Sequence, residues 1–190
     1  MCEIPVFYAT TEGQTRRIAE RLAQLLRSRG FTSRAIDVGT AEAWSINWMD
    51  VRAIFLGASL HAGQHQASAA AFVRAHLREL GSCPATFFSV SLSAASKLPQ
   101  ERAAARQLAE QFVAQTYWRP RSIVCLAGRL AYTQYGFFKR LVLRMIAKRE
   151  GASTDTSCDH EYTDWSAVEQ LAREMTDVVR YHAALIPLGA

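Results

Sequence analysis

The chain has 190 residues, enough to bury a substantial core, and its composition of 49% hydrophobic and 21% charged residues is that of a globular protein. No apolar run reaches the roughly 18 residues of a membrane-spanning helix, which argues against an integral membrane protein. The formal net charge of +5 favours an acidic partner, such as nucleic acid, an anionic membrane or a polyanionic substrate.

The chain start and the cysteines predict a reducing compartment. Met1-Cys2-Glu3 runs into a predicted strand, without the basic and apolar regions of a secretory leader. Cys83, Cys125 and Cys158 are far apart in the sequence, and no CxxC pair occurs. We therefore expect a cytoplasmic protein with free thiols.

The most informative stretch is Thr10-Thr11-Glu12-Gly13-Gln14-Thr15, which joins a predicted strand, Ile4–Ala9, to a helix ending at Gly30. The first N–H groups of a helix have no intrahelical partner and attract anions. The three threonines add hydroxyl donors, and Gly13 lets the backbone close around a ligand. No lysine follows the glycine, which favours a single terminal phosphate over a nucleoside triphosphate.

The same hexapeptide is compatible with an ordinary helix start in which Thr10 or Thr11 is the N-cap. It also resembles the FMN-phosphate loop of flavodoxins, which places hydroxyl residues and a glycine directly after the first strand. That resemblance implies that Thr10, Thr11, Glu12, Gly13, Gln14 and Thr15 bind FMN.

The rest of the chain predicts strands alternating with helices. The continuous apolar run Val51–Ala58 is typical of a strand buried on both faces of a parallel sheet. The further predicted strands are Thr32–Val38, Pro84–Leu92 and Arg121–Leu126; the further predicted helices are Ala67–Leu80, Gln100–Tyr117 and Thr163–Leu185. In the helix Ala67–Leu80 we expect Ala71, Phe72, Ala75 and Leu80 to be buried, with Gly81 as its C′ residue.

This alternation predicts an α/β fold, a parallel sheet of five strands with helices on both faces, in a single domain over residues 1–190. The resemblance to flavodoxins implies a flavodoxin-like doubly wound sheet with the strand order 2-1-3-4-5. Ligands of such sheets bind beyond the carboxyl ends of the strands, where the loops Thr10–Thr15, Ser59–Gln66 and Ser91–Leu98 meet. By resemblance to flavodoxins, the second and third loops flank the flavin ring. The contacts implied there are Ser59, Leu60, Ser91, Leu92, Ser93 and Ala94.

An insert, Ala127–Tyr162, separates the fifth strand from the last helix and is predicted to contain a basic amphipathic helix. Eight basic and no acidic residues occur between Gln111 and Arg149, so this region carries more than the whole net charge. Such a helix is typical of a segment that lies on an anionic membrane surface, and we expect Phe137–Arg149 to do so. Alternatively, its apolar face packs on the domain. Nucleic-acid binding is disfavoured because no recognised motif accompanies it.

The insert and its borders resemble the bacterial quinone-dependent protoporphyrinogen oxidases of flavodoxin fold. The stretches that carry this resemblance are Trp118-Arg119-Pro120, Ala127–Tyr135, Thr154–Thr156, Glu161–Trp165, Glu12–Arg16, Gly57-Ala58-Ser59 and Phe88–Leu92. The resemblance implies an FMN enzyme on the cytoplasmic face of the inner membrane. Such an enzyme oxidises protoporphyrinogen IX to protoporphyrin IX in haem biosynthesis and passes the electrons to menaquinone or ubiquinone.

The loops expected beside the flavin contain no Phe, Tyr or Trp, so the flavin is either open or covered by Tyr132, Tyr135 or Tyr162 of the insert. No catalytic residue is evident. His61 is the one candidate for a proton acceptor, although an exposed loop histidine without a catalytic role is the commoner case. The spacing of His61 and His65 suggests a metal pair, but no third ligand is apparent, and we expect no metal.

Three other functions remain compatible with the sequence. A flavodoxin-type FMN electron carrier is disfavoured by the basic charge of the insert, because such carriers are typically acidic. The second function is an FMN-dependent quinone reductase that uses NAD(P)H, but the chain contains no second dinucleotide fingerprint. The third is a paralogue that has lost the activity, which no sequence feature would distinguish from an active enzyme. The sequence indicates neither the quinone nor the oligomeric state.

Overall fold

The computed structural model describes residues 2–130 and 160–185. The strands of its main sheet are β1 (Val6–Ala9), β2 (Ala35–Asp37), β3 (Ile54–His61), β4 (Gln64–His65), β5 (Ala85–Ser91) and β6 (Ser122–Ala127). Five of them are parallel, in the order β2-β1-β3-β5-β6, and the short strand β4 is paired antiparallel to β3. With β4 set aside, this is the predicted order 2-1-3-4-5, which is confirmed.

Helices cover both faces of the sheet. The helices are α1 (Gln14–Ser28), α2 (Ala41–Trp44), α3 (Ala67–Ala75), α4 (Leu77–Gly81), α5 (Pro99–Gln115) and α6 (Trp165–Leu185), with 3₁₀ turns at Trp48–Asp50 and Ser93–Ala95. Because strand side chains alternate, Phe7 and Phe87 pack with α2 to α5 on one face. Their neighbours Val6 and Phe88 pack with α1 and α6 on the other. None of the helices in these described ranges has the length and apolar character to cross a membrane.

One close contact fixes the centre of the sheet. Gly57 of β3 lies opposite Phe88 of β5, and a Cβ atom built on Gly57 would lie 2.1 Å from Phe88 Cζ. The Phe88 side chain is fully buried, so the ring cannot move into solvent. Only glycine fits opposite it.

The predicted loop Ser59–Gln66 is wrong. β3 starts later than the expected Val51 and continues through Ser59 to His61, and the chain then turns back into β4. The two turn residues, Ala62 and Gly63, both have positive φ, 49° and 79°. This is the backbone that the twist of a two-residue hairpin favours, but the usual Asn-Gly or Asp-Gly signal is missing here.

The predicted single helix Ala67–Leu80 is also wrong, because it breaks at His76 into α3 and α4. The His76 ring packs against the rings of Trp44 and Trp48, with centroids 5.4 and 5.0 Å away. Phe72 and Leu80 are buried as expected, whereas Ala71 and Ala75 are exposed. Gly81 is the last residue of α4 and has no positive φ, so it is not the left-handed C′ residue that we predicted.

Two short strands, β7 (Arg129–Leu130) and β8 (His160–Glu161), pair antiparallel where the insert leaves and rejoins the fold. The predicted basic helix, Phe137–Arg149, lies outside the described residues. So do Tyr132, Tyr135, Thr154–Thr156 and Cys158.

Candidate functional site

The loop Thr10–Thr15 follows β1 and turns directly into α1. Its turn depends on Gly13, which has φ 86° and is the N-cap residue of α1. Thr10 Oγ1 accepts a hydrogen bond from Gly13 N at 2.9 Å, so Thr10 closes the loop rather than capping the helix. The alternative with Thr10 or Thr11 as N-cap is therefore wrong.

The start of α1 presents hydrogen-bond donors for which residues 2–130 and 160–185 supply no acceptor. The first backbone N–H to bond back along the helix is that of Arg17, which donates to Gly13 O at 3.1 Å. The N–H groups before it are those that a helix leaves without an intrahelical acceptor. Thr15 is fully buried, and its Oγ1 has no hydrogen-bond partner among the described residues. Buried hydroxyls normally have a partner, so this one fits a ligand oxygen and supports a phosphate at the loop.

Gln66 joins this loop to β3 and was not singled out by sequence reasoning. Its Nε2 donates to Thr11 Oγ1 at 3.1 Å and also to Ser59 Oγ. Thr11 N donates to Ser59 Oγ at 3.4 Å. Leu60 follows Ser59 in β3 and is half-buried. No sequence signal identifies Gln66, because its partner Thr11 lies 55 residues away.

The third loop continues β5, whose last residue is Ser91. Ser91 Oγ accepts from Ala94 N at 3.2 Å, and Ser93 and Ala94 form a 3₁₀ turn that leaves Leu92 exposed. β1, β3 and β5 are neighbours in the sheet. The predicted contacts in all three loops therefore lie along one carboxyl edge.

The charges beside the loop are balanced. Arg16 Nε lies 2.8 Å from Glu20 Oε1, and Arg17 Nη1 lies 3.5 Å from Glu161 Oε2. A cavity of about 300 Å³ adjoins the first turn of α1. It is lined by Glu12, Gly13, Gln14, Arg16, Arg17, Glu20 and Arg129. The donors left for an anion in the loop itself are neutral.

The two histidines of the β3–β4 hairpin have different surroundings. His61 is partly exposed, and its Nδ1 lies 3.8 Å from Glu12 Oε1 across the mouth of the site. His65 packs against Phe87 and Phe112, and its Nε2 is hydrogen-bonded to Ser89 Oγ at 2.9 Å. Burial lowers the pKa of His65 to about 4, so its ring is neutral at physiological pH. His65 is half-buried and packs against the edge of the core.

Comparisons with known proteins agree with this architecture. The family model described as a flavodoxin domain matches residues 5–157. The chain is 33% identical to protoporphyrinogen IX dehydrogenase (quinone) of Escherichia coli K12 over 171 residues, covering 90% of this chain and 92% of that protein. The protein of the same name from Leishmania major is 32% identical, covering 89% of this chain and 72% of that protein.

A solved structure shows the same fold. The chain superposes on a flavodoxin from the domain Archaea with a TM-score of 0.50 and 12% identity, covering 94% of this chain and 99% of the other. The flavodoxin domain confirms FMN as the expected cofactor. The chain therefore belongs to the flavodoxin domain family and, within it, to the oxidoreductase family of the protoporphyrinogen IX dehydrogenases (quinone).

Proposed function

We propose that this chain catalyses the FMN-dependent oxidation of protoporphyrinogen IX to protoporphyrin IX in haem biosynthesis and passes the electrons to menaquinone or ubiquinone. The observation that carries this proposal is the similarity to the Escherichia coli protein named for that reaction, which extends over 90% of the chain. A likeness of that extent covers more than the cofactor loop and includes residues that flank the insert.

The residues of the carboxyl edge would hold the cofactor. The start of α1 would bind the phosphate through the backbone N–H groups of Gln14 and Thr15 and the Thr15 hydroxyl. Thr10, Thr11 and Gly13 would shape the loop, and Glu12 lies at its mouth. When bound, FMN supplies the electron acceptor of the reaction. Flanking contacts to the rest of the cofactor would come from Ser59, Leu60, Ser91, Leu92, Ser93 and Ala94.

The rim of this edge suits a broad, flat substrate. The β3–β4 hairpin has the small residues Ala62 and Gly63 at its turn, and it contains no Phe, Tyr or Trp that would cover the cofactor. The third loop has exposed apolar side chains in Leu92 and Leu98, which are 39% and 45% exposed, and Tyr162 at the end of the insert is 46% exposed. Apolar side chains of this kind can pack against a tetrapyrrole macrocycle.

His61 is the residue we propose as proton acceptor. Oxidation of the macrocycle releases protons as well as electrons, and an imidazole nitrogen is a group that can accept one. The Glu12 carboxylate, 3.8 Å from His61 Nδ1, would orient the imidazole. We expect His61→Gln to lower kcat in the porphyrin assay, with FMN affinity unchanged. An unchanged kcat in this variant would leave His61 without a catalytic role.

Membrane attachment is proposed from the sequence of the insert. A lipid-soluble acceptor requires access to the bilayer, and each basic residue near an anionic leaflet contributes about 1 kcal/mol of binding. We expect peripheral binding to the cytoplasmic face through Phe137–Arg149. Replacing Arg140, Arg144 and Lys148 by Glu should release the protein from phosphatidylserine vesicles in a co-sedimentation assay. Unchanged sedimentation of that variant would assign membrane binding to another surface.

The reaction itself is tested anaerobically, because oxygen oxidises the substrate without an enzyme. FMN-loaded protein is mixed with protoporphyrinogen IX and a soluble menaquinone analogue, and porphyrin fluorescence is followed. We expect fluorescence to grow only when quinone is present and to stop when FMN has been removed. Flavin binding without any porphyrin formation would favour an electron carrier over this enzyme.

A further inference from the structure

Gln14 has two sets of partners, and they lie in different parts of the molecule. Its backbone is the first residue of α1 in the cofactor loop, whereas its side chain is buried and points toward the residues before α6. Nε2 donates to Thr163 Oγ1 at 2.9 Å and to Glu161 Oε1 at 3.0 Å. Gln14 Oε1 accepts from Arg17 Nη1 at 3.3 Å. Both N–H groups of the amide are used within the protein, so the side chain is not a cofactor ligand.

The partners of Gln14 belong to the junction, which we define as residues 127–130 and 160–163 on either side of the insert. Thr163 Oγ1 donates to Ala127 O, the end of β6, at 2.8 Å. Gly128 N donates to Ser91 O at 3.0 Å, and Tyr162 N donates to Gly128 O at 3.2 Å. The junction is therefore hydrogen-bonded both to α1 and to the third loop of the site.

These contacts make independent movement of the two regions unfavourable. If the first turn of α1 shifted without the junction, the buried Gln14 amide and the buried Thr163 hydroxyl would each lose a partner. A buried polar group left without its hydrogen bond costs about 1–3 kcal/mol. The first turn of α1 and the junction are thus expected to order together.

We propose that Gln14 is a positioning residue that couples cofactor binding at Thr10–Thr15 to the order of the junction. This inference rests on the binding of FMN at that loop. Because coupling between two sites is reciprocal, FMN should protect the junction, and weakening of the junction should weaken FMN binding by the same factor.

The chain offers three variants that isolate this contact. Thr163→Val removes the hydroxyl that Gln14 and Ala127 share, whereas Thr163→Ser keeps it. Glu169→Gln is the matched control, because Arg21 Nη2 and Glu169 Oε1 form a 2.7 Å ion pair that also joins α1 to α6, away from the cofactor loop. The readouts are the Kd of FMN from quenching of flavin fluorescence, and hydrogen exchange of the Tyr162 amide with and without FMN.

We expect FMN to slow exchange of the Tyr162 amide in the unmodified protein. Thr163→Val should abolish that protection and raise the Kd of FMN about three- to tenfold, the usual effect of one hydrogen bond. Thr163→Ser and Glu169→Gln should keep both properties. In a double-mutant cycle, the variant that combines Gln14→Ala with Thr163→Val should raise the Kd of FMN no more than the larger of the two single substitutions does.

Two results would overturn the coupling: Tyr162 exchange that does not respond to bound FMN, or equal rises in Kd for Thr163→Val and Glu169→Gln. Failure of the unmodified protein to bind FMN would overturn both this inference and the proposed function. Bound FMN with a protected Tyr162 but no porphyrin formation would support the coupling and contradict only the proposed reaction.

Discussion

The substitution Thr15→Val tests the cofactor loop because it should change stability and affinity differently. Thr15 is fully buried and its Oγ1 has no partner among the described residues, while valine has nearly the same shape. A buried polar group without a partner costs about 1–3 kcal/mol. The apo form of the variant should therefore be as stable as the unmodified apo protein, or more stable.

With FMN present, the same change removes a donor to a charged phosphate. Hydrogen bonds to charged groups contribute about 1.5–3 kcal/mol, and each 1.4 kcal/mol is a tenfold change in Kd. We expect FMN to bind about 10- to 150-fold more weakly by the same arithmetic. The Kd is measured by quenching of flavin fluorescence during titration of apo protein, and stability by the Tm of the apo form.

Thr176→Val is the control for this measurement. Thr176 is also buried, but it lies in α6, and its Oγ1 already donates to Arg173 O at 2.7 Å. This variant should lose some apo stability and keep the Kd of FMN. The reasoning about Thr15 fails if Thr15→Val leaves the Kd unchanged, or if it lowers the apo Tm as much as Thr176→Val does.

Three further predictions concern the fold. Tyr117 lies just after the C-cap of α5, has φ 57° and is 81% exposed. Tyr117→Gly should therefore relieve backbone strain and stabilise the protein by about 1 kcal/mol, or about 2–4 °C in Tm. A lower Tm would show that the Tyr117 side chain contributes more stability than the strain costs. Gly57→Ala should cost about 3 kcal/mol in chemical unfolding because its Cβ meets the buried Phe88 ring. Adding Phe88→Ala to Gly57→Ala should suppress part of that loss. If the unfolding free-energy changes of the two substitutions were strictly additive, the clash would be contradicted. Burial lowers the pKa of His65 from 6.5 to about 4. Between pH 6.5 and 4 the unfolded chain therefore binds more protons than the folded chain. The free energy of unfolding should fall as pH drops through this range, by up to about 1.4 kcal/mol per pH unit. Burial also lowers the pKa of His76, which adds to the slope in the same direction. His65→Gln should reduce the slope in urea unfolding between pH 6.5 and 4, and an unchanged slope would assign it to other groups.

The parts of the fold that the sequence predicts are those with a local cause. A continuous apolar run such as Ile54–Ala58 indicates a strand buried on both faces, and Gly13 of the cofactor loop marks a turn with a left-handed backbone. The alternation of strands and helices indicated a parallel sheet, and the strand order came from the resemblance to flavodoxins. The apolar run and the glycine turn are local signals, each contained in a short stretch of chain.

The errors occurred where distant contacts override local preference. Ala62 has a positive φ, which alanine usually avoids. The hairpin is held in place by His65, whose ring is hydrogen-bonded to Ser89 and packs against β5 and α5. The helix breaks at His76 without a proline or glycine, because the ring packs against two tryptophans from another segment. Neither contact leaves a trace in the sequence around the residue itself.

The ion pairs near the cofactor loop are also formed with distant residues that the sequence alone does not reveal. In the sequence, Arg16 and Arg17 follow the phosphate motif directly and could be taken for anion ligands. In the structure Arg16 pairs with Glu20, and Arg17 with Glu161 from the far end of the insert. A cation whose carboxylate partner is already within 4 Å offers little net charge to a second anion. We therefore expect the cofactor phosphate to bind neutral donors, the first N–H groups of α1 and the Thr15 hydroxyl, which is consistent with a loop that lacks a lysine.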